Sequence, residues 1–536
     1  MAHASVTLQK DAARLANLVC AHVPVRRTTQ PRSPYHSAEL TIADIDVIAP
    51  APPVDGQSLD RSLVSGVAWT GGTKWATQVL SWAATLIVAR ILSPSDYGLM
   101  GMSAVYLGLV TLVNEFGLTS AILRHRGLTE EQIARVGGFS VLLGLVIATI
   151  SVALSPFIAR FYGEPAVAKI IAILSLNFIF GSLGVLPRAL LARDLAYPRL
   201  AMIDGFTNLA QMLTMLALAV AGYRYMALVF GSLVGSGCGA LLALKWRRHR
   251  LAWPGSFESI GEALQVGWHN VVGRIAWYTY NSADFAVVGR VLGKQSLGAY
   301  TLGWEIATMP VERISSLVSS VTPGIFSAVQ HDVVALRRYF LGVVEGLAYL
   351  TLPAAAGLAL VAGEFVPVVL GPQWLGAILP LRLLAVYGGV RSIDTVTPQV
   401  LIYTGNSRSA MRYSVIAACV MPVLFVVGTR WGVGGVAAVW IVAYPLVVSP
   451  QYRLVFRVLQ LSPAQYLRTL WPAISSTAIM TVAVIIVQAT LPQQFSPVIR
   501  LVIEVLVGMA AYGGMIAWRH RERARAFVSI IRNHAL

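Results

Sequence analysis

The chain has 536 residues, of which 56% are hydrophobic and 12% are charged, and its formal net charge is +17. Soluble proteins carry about 25% charged residues, so this composition excludes an ordinary soluble protein and favours many membrane spans. The 3 cysteines lie far apart, which excludes a disulfide framework and a cysteine metal cluster. The basic residues cluster between apolar runs, as at a cytoplasmic membrane face, so the charge predicts contact with membrane lipids and no nucleic-acid partner.

Residues 1–57 form a polar tail that contains several prolines and no sustained apolar run. A secretory signal needs an apolar core of about 7–15 residues, and the tail has none. We therefore predict a disordered cytoplasmic tail.

Fourteen apolar stretches follow, each of about the 20 residues that a membrane helix requires. Their approximate limits are 63–89, 97–121, 134–159, 166–191, 199–221, 225–246, 264–290, 296–322, 336–361, 376–403, 410–429, 432–457, 467–490 and 496–518. Connections on the side of the N-terminus hold about twenty Arg and Lys, against about seven on the opposite side. This bias predicts that both termini are cytoplasmic. No connection is large enough for a catalytic domain, so we expect no enzyme, no cofactor and no metal.

Two segments repeat at an offset of 200 residues: "VARILSPSDYGLMGM", Val88–Met102, and "VGRVLGKQSLGAYTL", Val288–Leu302. The offset aligns Arg90 with Arg290, Leu92 with Leu292 and Gly98 with Gly298. Two weaker matches follow in the same order, so we predict two six-helix lobes and an added C-terminal helix pair. Because six is even, both lobes have the same orientation, and transporters of this kind bind cargo between the lobes near the midplane.

The predicted domains follow from the spans and the repeat. They are a tail at 1–57, an N-lobe at 58–247, a cytoplasmic linker at 248–263, a C-lobe at 264–459, two further spans at 460–518 and a basic cytoplasmic tail at 519–536. At the start of the second span, "SPSD" predicts a helix cap, with Ser93 as N-cap, Pro94 in the first turn and Asp96 as the acceptor.

Three spans carry polar side chains at helical spacing. The stripes are Thr70, Lys74, Thr77, Ser81 and Thr85; Asn270, Arg274, Trp277, Asn281 and Asp284; and Thr301, Glu305, Thr308 and Glu312. Polarity on one side of a membrane helix indicates that this side faces protein or water. In the tenth span, Arg391 and Asp394 lie three residues apart, and we expect them to form a structural ion pair.

Three motifs together resemble the Wzx-type polysaccharide-export flippases of the multidrug/oligosaccharidyl-lipid/polysaccharide exporter superfamily. They are "ARILSPSDYGLMGM", "NEFGLTSAILRHRGLT" and "LPRALLARDLAYPRLAMID". The resemblance covers about 60–518 and implies an all-α membrane protein with a V-shaped pair of lobes. It implies a secondary transporter that moves undecaprenyl-diphosphate-linked oligosaccharide repeat units across the bacterial inner membrane, for exopolysaccharide, capsule or lipopolysaccharide O-antigen assembly. A polysaccharide polymerase and export machinery are the further partners it implies.

Such a cargo would account for the charged residues in the stripes. The substrate-binding candidates are Lys74, Thr77, Ser81, Asn270, Arg274, Trp277 and Asn281. The two cations suit a diphosphate, and the arginine fork matches phosphate oxygens. Tyr278, Tyr300 and Trp304 join Trp277 as rings that could stack on sugars. Asp284 and Glu305 are the candidates for ion coupling, by protons or sodium, or for pairing with Arg274.

Four alternatives remain open, one of which is a non-transporting membrane partner of a synthase complex. The intramembrane charges could serve only to hold the helices together, because such charges commonly pair. A multidrug exporter of the same superfamily would favour a smaller and more apolar cavity. A multi-span polysaccharide polymerase or ligase would be expected to have a long periplasmic loop, which this sequence lacks.

Overall fold

The structure is a computed structural model, and it describes residues 82–114, 129–194, 196–249, 252–253, 258–492 and 494–519. Within these ranges the chain is α-helical and has no strand, so the prediction of an all-α protein is confirmed. The predicted N-terminal tail lies outside the described residues, as do Lys74, Thr77 and Ser81 of the first polar stripe.

The first seven helices precede the predicted linker. They are α1 (Trp82–Ile91), α2 (Pro94–Asn114), α3 (Glu130–Tyr162), α4 (Pro165–Leu174), α5 (Leu176–Arg193), α6 (Tyr197–Val220) and α7 (Tyr225–Trp246).

Nine helices follow the linker. They are α8 (Glu258–Ala328), α9 (Val333–Phe365), α10 (Ile378–Asp394), α11 (Thr397–Tyr403), α12 (Ser407–Gly428), α13 (Gly432–Val442), α14 (Tyr444–Val458), α15 (Pro463–Thr490) and α16 (Pro497–Arg519). A π turn at Val366–Leu370 and a 3-10 turn at Pro372–Ala377 connect α9 to α10.

The predicted cap at the start of α2 is confirmed. The backbone N–H and the hydroxyl of Ser93 both donate to the Asp96 carboxylate, at 3.0 and 2.6 Å, and the Asp96 N–H donates back to the Ser93 hydroxyl at 3.3 Å. The second Asp96 oxygen accepts from the backbone N–H of Tyr225 at 3.3 Å and lies 3.5 Å from Arg224. Asp96 therefore caps α2 and also fixes the start of α7 beside it.

The 71-residue helix α8 bends at Gly293, where φ is 81°. Positive φ is strained for residues that carry a Cβ, and glycine has none. We call residues 258–292 the first arm and residues 294–328 the second arm. Tyr300 of the second arm donates to Asp284 of the first, so the two arms pack side by side beyond the bend. These arms carry two of the three predicted polar stripes.

Within the described ranges, 9 apolar helical stretches are long enough to cross a membrane. One of them, Ser407–Val458, covers two predicted spans. Apolar side chains such as Phe157, Leu241 and Leu446 are exposed, as expected on a surface that meets lipid. The chain is therefore a multi-pass membrane protein. The predicted count of fourteen spans and the domain boundaries remain predictions, because the first span lies largely outside the described ranges.

Candidate functional site

Helix α2 packs against the second arm of α8 through two glycines. Gly98 lies against the backbone carbonyl of Lys294, and Gly298 lies against the backbone carbonyl of Pro94. Neither glycine leaves room for a Cβ, so only glycine permits this approach. We call this pair of backbone contacts the glycine contact.

Side-chain bonds also hold the helices together at the end where the glycine contact lies. The Trp374 indole N–H donates to the Ala89 carbonyl at 2.7 Å, and the Arg90 guanidinium donates to the Val368 carbonyl at 3.1 Å. Lys294 forms a 3.0 Å ion pair with Glu164. These bonds connect α1 and the start of α4 to α8 and to the connection between α9 and α10. The helices are therefore held closely together at this end.

The second predicted stripe runs from an exposed end to a buried one. Arg274 is exposed, the Trp277 side chain is 41% exposed, Asn281 is half-buried and Asp284 is fully buried. The side chain of Asn270 lies outside what the structure describes. Nineteen residues separate Arg274 from Gly293, which is about 28 Å of helix. Arg274 therefore lies far from the glycine contact, and Asp284 lies about half as far.

The charge of Arg274 is not neutralised by a nearby carboxylate in the described structure. The salt bridges among the described residues do not include Arg274. One turn towards Gly293, the Tyr278 hydroxyl donates to the Val105 carbonyl of α2 at 3.0 Å. The first arm is therefore fixed to α2 by Tyr278, while Arg274 remains accessible beyond that contact.

Asp284 is buried among hydrogen-bond donors. Its carboxylate accepts from the Tyr300 hydroxyl at 2.5 Å and from the Trp440 indole N–H at 2.9 Å, and the Phe285 N–H donates to its second oxygen at 2.9 Å. No salt bridge of the described residues includes it. Three donors compensate much of the cost of burying this carboxyl. In this structure Asp284 does not pair with Arg274.

Aromatic rings surround Asp284 and correct one expectation from the sequence. Tyr300 is fully buried and Trp304 is 8% exposed. Trp304 packs against Trp440, with ring centroids 5.6 Å apart, and Tyr387 stacks on Trp440 at 4.6 Å. We expected Tyr300 and Trp304 to stack on sugars, but both rings are used in this interior cluster. Trp277 is the stripe's accessible aromatic side chain.

Glu305 lies in a different environment. Thr301, one turn earlier, packs on Gly101 of α2, so the face that carries Glu305 is the face turned towards α2. Glu305 itself is exposed, although its neighbours Trp304 and Ile306 are buried. The contact with α2 therefore covers the start of the second arm and leaves Glu305 accessible.

The expected ion pair between Arg391 and Asp394 is not among the salt bridges of the described residues. Asp394 instead accepts from the Tyr444 hydroxyl at 2.6 Å, and the Arg391 guanidinium lies over the Trp304 ring, 5.3 Å from its centroid. Both side chains thus contact other helices, which spacing along one helix cannot reveal, and the Arg391 Nη1 and one Asp394 oxygen keep no hydrogen-bond partner among the described residues.

These features define a helical membrane protein with accessible charged side chains on two arms beside a close helix contact. Residues 87–379 match the family described as polysaccharide biosynthesis protein, and the chain belongs to this family. It is 26% identical over 419 residues to the lipopolysaccharide biosynthesis protein WzxC of Escherichia coli K12, covering 77% of this chain and 85% of that protein. The family identified from the three motifs is thus confirmed.

Solved structures support the fold. The lipid II flippase MurJ in an inward closed conformation matches with a TM-score of 0.71 and 14% identity, covering 85% of this chain and 100% of that one. An inward-facing multidrug resistance MATE family transporter of the MOP superfamily matches with a TM-score of 0.59 and 17% identity, covering 72% and 96%. At these identities the likeness shows a shared fold.

Proposed function

We propose that this protein is a secondary transporter that flips undecaprenyl-diphosphate-linked oligosaccharide repeat units across the bacterial inner membrane. The observation that carries the proposal is that Arg274, on the arm that covers the predicted seventh span of a polysaccharide biosynthesis protein, is exposed and has no salt bridge among the described residues. A charge in a membrane helix costs about 3 kcal/mol or more, so it is retained where it does work. A diphosphate supplies the matching negative charge, and the arginine fork suits its oxygens.

The loop charges support an orientation of the protein in the membrane. The bias of basic residues supports an orientation in which both termini and the predicted linker are cytoplasmic. The glycine contact then lies on the periplasmic side, and Arg274 lies about 28 Å from it, in the cytoplasmic half. In this arrangement the cargo enters from the cytoplasm and meets Arg274 and Trp277 first. Release to the periplasm requires the helices to separate at the glycine contact.

Glu305 is the stronger of the two candidates for ion coupling. It is exposed on the arm that also forms the glycine contact, so an ion bound there can alter that contact. Asp284 has three internal donors and serves to join the arms of α8 to α13. Lys74, Thr77 and Ser81 are proposed to complete the binding surface, together with Asn270 and Asn281. A polysaccharide polymerase and export machinery are the proposed downstream partners.

A multidrug exporter is the second candidate, because the fold also matches that of a MATE transporter. The deciding experiment uses purified protein in liposomes with an imposed ion gradient. We expect gradient-dependent movement of the lipid-linked repeat unit between leaflets, above the rate in protein-free liposomes. Export of a cationic dye without movement of the lipid-linked unit would favour the multidrug exporter instead.

A further inference from the structure

A cavity of 160 Å³ lies between the second arm of α8 and the C-terminal end of α10. Most of its lining surface is apolar, and its polar lining residues are Thr308, Glu312, Ser315, Arg391, Ser392 and Thr395. Thirteen residues of α10 precede Arg391, or about 20 Å of helix. The cavity is therefore remote from the glycine contact, as Arg274 is.

Two of the lining groups have hydrogen-bonding capacity that the protein does not use. Ser315 is 7% exposed, and its hydroxyl has no hydrogen-bond partner among the described residues; the buried Nη1 of Arg391 also has none there. Thr308 and Thr395, by contrast, donate to carbonyls of their own helices. An unpaired buried polar group costs about 1–3 kcal/mol, so Ser315 and Arg391 indicate a ligand that supplies acceptors.

The charges of the cavity indicate the class of that ligand. Glu312 and Arg391 line it from facing helices, and the salt bridges of the described residues do not join them. A small anion would be repelled by Glu312, and a small cation would be repelled by Arg391. A neutral polyhydroxyl compound satisfies both, because each hydroxyl can donate to the carboxylate or accept from the guanidinium.

The cavity has room for a ligand of several non-hydrogen atoms. Its volume is 160 Å³, well above the roughly 10–15 Å³ that one water molecule needs. Accessible Glu312 lies two turns beyond Glu305 on the same face of the second arm. The cavity therefore adjoins the accessible surface around Glu305.

We propose that this cavity binds one sugar ring of the oligosaccharide cargo, with Ser315, Glu312 and Arg391 as its hydrogen-bonding groups. The inference rests on the proposed flippase function and adds a site that recognises the sugar rather than the diphosphate. It predicts that the protein distinguishes a glycosylated lipid from the same lipid without sugar.

The test compares two lipids in liposomes containing the purified full-length chain. One is the lipid-linked repeat unit extracted from cells that lack the protein, and the other is undecaprenyl diphosphate without sugar. For Ser315→Ala and Glu312→Gln we expect the half-saturating concentration of the glycosylated lipid to rise about fivefold each, the equivalent of one hydrogen bond. The values for the sugar-free lipid should not change. Because the Ser315 hydroxyl has no hydrogen-bond partner in the described part of the chain, Ser315→Ala should retain the wild-type melting temperature.

Arg382→Gln provides the matched control, because Arg382 is an exposed cation on the same helix that does not line the cavity. It should leave the ratio between the two lipids unchanged. Unchanged half-saturation in both cavity variants, or an equal change for both lipids, would overturn the sugar site. Wild-type protein that moves neither lipid would instead contradict the proposed function itself, so the two failures are distinguishable.

Discussion

Gly98 and Gly298 lie 200 residues apart and make equivalent contacts in the fold. Gly98 lies on the Lys294 carbonyl, and Gly298 lies on the carbonyl of Pro94, the residue that the same offset aligns with Lys294. The two halves of the chain therefore meet through equivalent positions. Each half contributes one glycine, Gly98 or Gly298, and one backbone carbonyl, that of Pro94 or Lys294. Such reciprocity is the geometry expected at a pseudo-twofold axis.

Substituting either glycine should impair transport. Gly98→Ala or Gly298→Ala places a Cβ where a backbone carbonyl lies, so the helices must separate. We expect transport to fall at least tenfold for each variant, measured as flipping in liposomes at equal protein content. Gly205→Ala on α6 is the control, since nothing lies within 4 Å of that position. If all three variants transport alike, the close approach has no role in the cycle.

Breaking the Lys294–Glu164 pair should affect conformation more than stability. The pair is partly exposed, at 40% and 23%, and such pairs contribute about 0–1 kcal/mol. We expect Lys294→Gln to leave the melting temperature within a few degrees and to increase thiol labelling of a Ser93→Cys reporter at the same end. The exchanged double variant Lys294→Glu/Glu164→Lys should restore low labelling, and labelling that stays high would argue against a pairing role.

Substitutions of the two candidates for ion coupling, Glu305 and Asp284, should have different effects. Glu305→Gln should abolish gradient-driven transport at normal stability, because Glu305 is accessible. Asp284→Asn should mainly reduce stability, by roughly 1–3 kcal/mol, because it weakens bonds to buried donors. Tyr300→Phe removes one of those donors and serves as the comparison. For each variant, transport is measured with a proton gradient and with a sodium gradient, and the melting temperature is measured alongside. Full gradient dependence in Glu305→Gln would exclude it as the coupling residue.

The predicted topology can be checked with reporter fusions. Fusions after Arg250 and after Arg525 should report the cytoplasm, and a fusion after Lys294 should report the periplasm, because basic connections remain inside. A periplasmic signal after Arg250 would reverse the direction of transport proposed above.

Features determined by neighbouring residues were predictable from the sequence, and those determined by distant helices were not. The cap at Ser93 and Asp96 involves residues three apart, so the motif alone predicts it. The burial of Tyr300 and Trp304 depends on Trp440, which lies about 140 residues away, and no local pattern indicates it. Ser315 was missed, although it continues the spacing of the stripe through Thr308 and Glu312.

We propose above that the exposed charge of Arg274 holds the cargo. The measurement is surface polymer per unit of membrane protein in cells carrying Arg274→Ala, Arg274→Lys or the double variant Arg274→Ala/Asp284→Asn. We expect no polymer from Arg274→Ala and partial activity from Arg274→Lys, because a point charge remains while the fork is lost. The double variant should not recover, because Asp284 bonds to Tyr300 and Trp440 instead of Arg274. Wild-type polymer from well-expressed Arg274→Ala, or recovery in the double variant, would contradict the account.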